Sequence, residues 1–118
     1  MDDRYNVEIT DTIDSVAYNT ENKMLILWLV DGMDWSDEAM HLTLLKKKLN
    51  SYLYYVDTGQ YEESYPDTER IELRICFRCE CPELCMIMLD AVRNVLEGLF
   101  ENSALIIEFG DECISEYL

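Results

Sequence analysis

Four of the five cysteines fall close together as Cys76, Cys79, Cys81 and Cys85, and C-x2-C-x-C-x3-C is a spacing that can ligate zinc or an iron–sulfur cluster. The alternating run in which they begin, RIELRICFRC, argues against convergence. Ile71, Leu73, Ile75, Phe77 and Cys79 point one way along it, while Glu72, Arg74, Cys76 and Arg78 point the other. Cys76 therefore lies opposite Cys79 and Cys81, and no second C-x2-C follows. The thiols read as small buried hydrophobes, and no metal or other cofactor is expected. The single histidine, His41, has Asp37 four residues before it, the spacing of a His–carboxylate pair on a helix. No Ser or Cys carries a nucleophile motif such as G-x-S-x-G, so His41 reads as structural and the domain as non-enzymatic.

The remaining candidates are carboxylates. They gather at Asp31, Asp34, Asp37 and Glu38, at Glu62, Glu63, Asp67 and Glu69, and at Asp111, Glu112 and Glu116. Paired acids can hold a divalent ion, but Asp31-x-x-Asp34-x-x-Asp37 lacks the Gly and Glu positions of a calcium loop, and these segments read as loops and a helix cap. Solvated charge is the simpler meaning. With 25 Asp and Glu against 9 Lys and Arg, the formal net charge is −16, which disfavours nucleic acid and anionic membrane as partners. A basic protein is favoured, because a negative patch steers a positive one into encounter. Tyr52, Tyr54, Tyr55, Tyr61 and Tyr65 cannot all face one core, and aromatic residues beside acids suit a protein interface.

These residues need positioning elements. At 118 residues with 49% hydrophobic composition, the chain forms one globular domain spanning residues 1–118, with a loose lead-in at 1–11 and an acidic tail at 111–118. Residues 13–30 read as a hairpin around NTEN. Its second run, from Met24 to Val30, is apolar on both faces. It reads as a central strand, and its face away from the helices is a candidate homodimer surface.

Residues 34–60 predict a long helix. Ser36 is placed to cap it, Trp35 and Met40 to staple it, and Gly59 to end it. Leu42, Leu45, Leu49, Leu53 and Val56 give its buried stripe. A loop at 61–69 containing Pro66 leads to the alternating strand. Pro82 then opens a second helix with Cys85, Leu89, Val92, Leu96 and Leu99 inward, and residues 104–109 give a last strand. The expected fold class is α+β, in the order β-β-α-β-α-β: a two-layer sandwich with a four-stranded, mainly antiparallel sheet and two helices on one face.

Asp11, Ile13 and Asp14, then Asp34 and Trp35, then HLTLLKKKLNSYLYYVDTGQ from His41 to Gln60, and finally Tyr65 and Pro66 together resemble a small uncharacterised bacterial family of acidic chains. Its pattern has a D-x-I-D opening and a W-D-x-x-x-E-H-L-x-L-L-Q-x-K-I-N-x-Y-L-x-F-I-x-S-G core, from which this chain departs at Met40. The resemblance implies the fold and a bacterial origin, and brings no catalytic residue with it.

No run approaches the roughly 20 apolar residues of a membrane span, and the first residues, MDDRYNVEIT, are not a signal peptide. A cytoplasmic location is expected, with the five cysteines as thiols. The functional expectation is an acidic binding domain, in concrete form an immunity protein covering the active site of a basic toxin such as a nuclease. The residues expected to meet the partner are Asp34, Asp37, Glu38, Tyr61, Glu62, Glu63 and Tyr65. The alternatives are a self-associating housekeeping domain, a DNA mimic with acids spaced like phosphates, and a small metal-dependent enzyme built on His41.

Overall fold

The computed structural model describes residues 13–110, so the lead-in at 1–11 and the tail at 111–118 lie outside the described residues. The chain runs through β1 (Ser15–Asn19), β2 (Met24–Asp31), α1 (Glu38–Asp57), a 3-10 helix (Gln60–Glu63), β3 (Arg70–Phe77), α2 (Glu83–Leu99) and β4 (Ser103–Phe109). The fold is α+β, with one four-stranded sheet in the order β1-β2-β3-β4. A 3-10 helix is interposed between α1 and β3, within the segment read as a loop.

The sheet is mixed, not mainly antiparallel. Only the β1–β2 hairpin is antiparallel, whereas β2–β3 and β3–β4 are parallel. The cause is the placement of the helices. Each fills the connection between two neighbouring strands, carries the chain back along the sheet and returns it to the edge where the previous strand began, which forces the next strand to run parallel.

Alternation sets the two faces of the sheet. Leu25, Leu27 and Leu29 of β2 and Ile71, Leu73, Ile75 and Phe77 of β3 are buried in one cluster with Leu45, Leu49 and Val56 of α1 and Cys85, Leu89, Val92 and Leu96 of α2. On the opposite face of β3, Glu72 is held between Arg70 and Arg74, at 3.4 Å and 2.8 Å. The Arg74 guanidinium lies 5.2 Å from the centroid of the Trp28 ring. This ionic ladder explains why the outward side of β2, although apolar, is only half-exposed at Met24, Ile26 and Trp28.

The caps of α1 differ from expectation at its start. Asp37, not Ser36, is the N-cap, and its carboxylate accepts from the Met40 amide at 3.1 Å. Ser36 instead donates its hydroxyl to Asp34 at 2.6 Å. With the cap moved by one residue, Trp35 stacks on His41, and Met40 stays exposed. At the other end Gly59 has φ 71°, and its amide donates to the Val56 carbonyl at 3.1 Å, as a glycine just past a helix should.

Candidate functional site

The inner face of α1 carries more than its leucines. At 3.6 residues per turn, positions 41, 48 and 52 share the face of Leu45, Leu49 and Val56; His41, Lys48 and Tyr52 are accordingly fully buried. Polar groups so placed must find partners or destabilise the fold.

His41 finds three. Its ring stacks on Trp35 with centroids 3.6 Å apart and planes 15° from parallel. Nδ1 meets the Asp34 carbonyl at 2.8 Å, and Nε2 is bonded to the buried Asp31 carboxylate, whose other oxygen accepts from the Met33 amide. A carbonyl can only accept, so Nδ1 carries a proton. Wherever the shared proton rests between Nε2 and Asp31, both ring nitrogens are occupied, and neither is open to a substrate proton or a metal.

Lys48 forms the second centre. Its ammonium lies 2.5 Å from the Asp14 carboxylate, with both side chains fully buried. The other Asp14 oxygen accepts from the Val30 amide at 2.8 Å. The Asp14 amide donates to the Tyr52 hydroxyl at 2.9 Å, and that hydroxyl donates to the Trp28 carbonyl. Burial pushes the Asp14 carboxyl above its ordinary range, outweighing the opposite pull of Lys48 and Val30. The two centres fasten α1 to the end of β2 and to the β1–β2 pair.

Acidic side chains come together at the edge where β2, β3 and β4 end and both helices begin, the place where open α/β sheets form crevices. Asp34, Asp37 and Glu38 are exposed there, and Asp34, alone of the three, lines a shallow depression of about 290 Å³ with Gly32, Arg78 and Cys79. Hydrogen bonds from the Ser36 hydroxyl and amide hold the Asp34 carboxyl below the usual carboxylate range. Behind them, burial raises the thiol of Cys81 and that of Cys85 further still, so neither is a ready thiolate nucleophile.

Cys79, Cys81 and Cys85 are free thiols, whereas Cys76 is disulfide-bonded, a departure from the expected set of five thiols. β3 ends at Phe77, so Cys79 lies beyond the strand rather than on its inner face. Among the described residues no three His, Cys, Asp or Glu side chains are grouped to hold a metal.

The other expected partner residues lie elsewhere. Glu62 and Glu63 are exposed, but they follow the far end of α1, a 20-residue helix and hence roughly 30 Å long. One compact epitope cannot include both acidic groups. Tyr61 is core, only 7% exposed, with its ring edge-on to Phe100. Tyr65 is half-buried and stacked on Tyr18 at 4.9 Å. The left-handed turn at Gly59 causes this, because it folds the 3-10 helix back beneath the end of α1. Tyr54, at 62%, is the exposed tyrosine of that helix.

Residues 5–105 match the Family of unknown function (DUF6572). The chain belongs to this family. No curated protein and no solved structure matches it. Asp14, Trp35, His41, Lys48 and Tyr52, which belong to the motifs that carried the resemblance, are all members of the two buried centres. In this DUF6572 chain those motifs describe how α1 is held. No helix among the described residues is long and apolar enough to cross a membrane.

Proposed function

We propose that this domain is a non-enzymatic acidic binding module for a basic protein, in concrete form a bacterial immunity protein that covers the active site of a cytoplasmic toxin such as a nuclease. The observation that carries the reading is the division of labour among titratable groups. The histidine, the buried lysine and their carboxylates are occupied with one another inside the fold, while Asp34, Asp37 and Glu38 stand in solvent on a chain of net charge −16. Charge so arranged speeds encounter with a cationic partner and penalises wrong ones. It also disfavours nucleic acid and anionic lipid. Glu62 and Glu63 add to the long-range field from the far end of the helix. Self-association through the outer sheet face has less support, because the Arg70–Glu72–Arg74 ladder already lies across it.

The test is co-expression with a toxin domain encoded beside this chain. Protection of the cells, with a complex that weakens at high salt and on the triple change Asp34→Asn, Asp37→Asn, Glu38→Gln, is the expected result. A complex indifferent to both salt and that triple change would remove the proposal.

A further inference from the structure

Helix α2 has two apolar lines where a surface helix needs one. Cys85, Leu89, Val92 and Leu96 form the buried line. Leu84, Ile87, Ala91 and Val95 form another at spacings of three and four, centred roughly 125° around the helix from the first at 100° per residue. Leu84 is 60% exposed, Ile87 58% and Val95 48%, and among the described residues five of the eight large exposed hydrophobics belong to α2. Single exposed leucines are ordinary, but concentration on one helix marks an interaction surface. Near the C-terminal end, Gly98 has nothing within 4 Å of where a Cβ would stand; with Ala91 it keeps the strip flat enough for close approach.

Charge decides what kind of surface would cover it. Along and just past α2 stand Glu83, Asp90, Glu97 and Glu101 against Arg93 alone, and Arg93 is paired with Asp90 at 2.7 Å. A second copy would bring another −16 to the contact, which works against self-pairing. At 100° per residue Glu83, Asp90 and Glu97 all lie along one side of the strip, and an apolar strip with acids along one side is complementary to an amphipathic surface whose apolar ridge has lysine and arginine beside it. We infer that the Leu84–Ile87–Val95 strip of α2 is the apolar contact for the basic partner, laid against an amphipathic, positively charged segment. This rests on the binding-module reading and adds to it where the buried anchor contacts are made; the acids at the start of α1 act in encounter.

The probe is a pair of synthetic helical peptides with the same leucine ridge, one with a lysine and one with a glutamate polar face, titrated into the full chain by calorimetry. The lysine peptide should bind, the glutamate peptide should not, and the combined change Leu84→Ser, Ile87→Ser, Val95→Ser should weaken binding at least about ten-fold, or by roughly 1.4 kcal/mol. Circular dichroism of the variant should be unchanged; should it not fold, Ile87→Lys alone is used, and the same loss is expected. Equal binding of both peptides, undiminished binding to the variant, or a homodimer in light scattering that the substitutions dissociate would each overturn the inference. Should a toxin partner be lost on neutralising Asp34, Asp37 and Glu38 but kept by the α2 variant, the binding function stands and the α2 contact falls.

Discussion

Replacing Lys48 by methionine keeps most of the volume of a fully buried side chain and deletes its charge, leaving Asp14 in the interior with the Val30 amide still bound at 2.8 Å. Breaking a buried pair from one side costs roughly 3–5 kcal/mol. The surviving amide bond and the snug methionine favour the lower end, so about 3 kcal/mol is expected at neutral pH, and about 12 °C in Tm for a domain of this size. That is a large part of the 5–15 kcal/mol or so that a domain possesses.

The loss should depend on pH. Burial already holds the Asp14 carboxyl above its ordinary 3.8, and Lys48 opposes that rise; without the ammonium, the folded-state value climbs further. A folded pKa above the unfolded one means that the native state binds the extra proton, so the variant loses stability as pH rises from the ordinary carboxylate range through the raised folded value, then levels off. The deficit against wild type is therefore smallest in acid and largest at neutrality. Urea unfolding between about pH 4 and 8 measures it, and the double change Asp14→Asn, Lys48→Met should recover much of the loss at neutral pH. A deficit below about 1 kcal/mol at neutral pH, or one independent of pH, would show that Asp14 and Lys48 are not a tightly coupled buried pair.

Changing His41→Ala strands Asp31 in the interior and removes the ring beneath Trp35; a loss of at least about 3 kcal/mol in urea unfolding, with altered tryptophan emission, is expected. Gly59→Ala places a Cβ on a residue at φ 71° and 3.4 Å from the Glu62 side chain, so stability should fall by about 1 kcal/mol. Ser36→Ala deletes the hydroxyl that most depresses Asp34. NMR titration should show that carboxyl moving up toward 3.8, and an unmoved midpoint would contradict the assignment. Because a depressed carboxylate contributes stability above its unfolded pKa and loses it as pH falls through the folded one, the variant should show a weaker acid-side slope.

Much of the candidate surface was hidden for a reason visible in α1. The leucine line that predicts the helix passes about 60° from Tyr52 and about 100° from Lys48, so periodicity leaves Lys48 on the flank; the buried face is turned toward His41, Lys48 and Tyr52, and Leu42 and Leu53 are only half-buried. The partners of these polar side chains are not legible in periodicity, because Asp14 lies 34 positions from Lys48 and meets it only where the antiparallel β1–β2 hairpin and the packing of α1 on the sheet bring the two together. Asp37 and Ser36 compete for the cap on equal terms in sequence, and the contest is settled by Asp34 accepting the serine hydroxyl. Tyr61 and Tyr65 look like exposed anchors beside acids until the turn at Gly59 directs them inward. In α2 the line through Leu84, Ile87 and Val95 is legible as a second period; its exposure is a tertiary fact.

The α+β class, the two long helices, the glycine stop and the acidic character are legible in the chain alone, because each follows from local periodicity, backbone preference or a count of charges. The mixed sheet, the separation of the acidic groups by the length of α1, and the choice of which polar side chains face each other in the interior come from the folded chain. Those depend on contacts between residues far apart in the chain, where one crossover fixes strand direction and one buried carboxylate selects its cation.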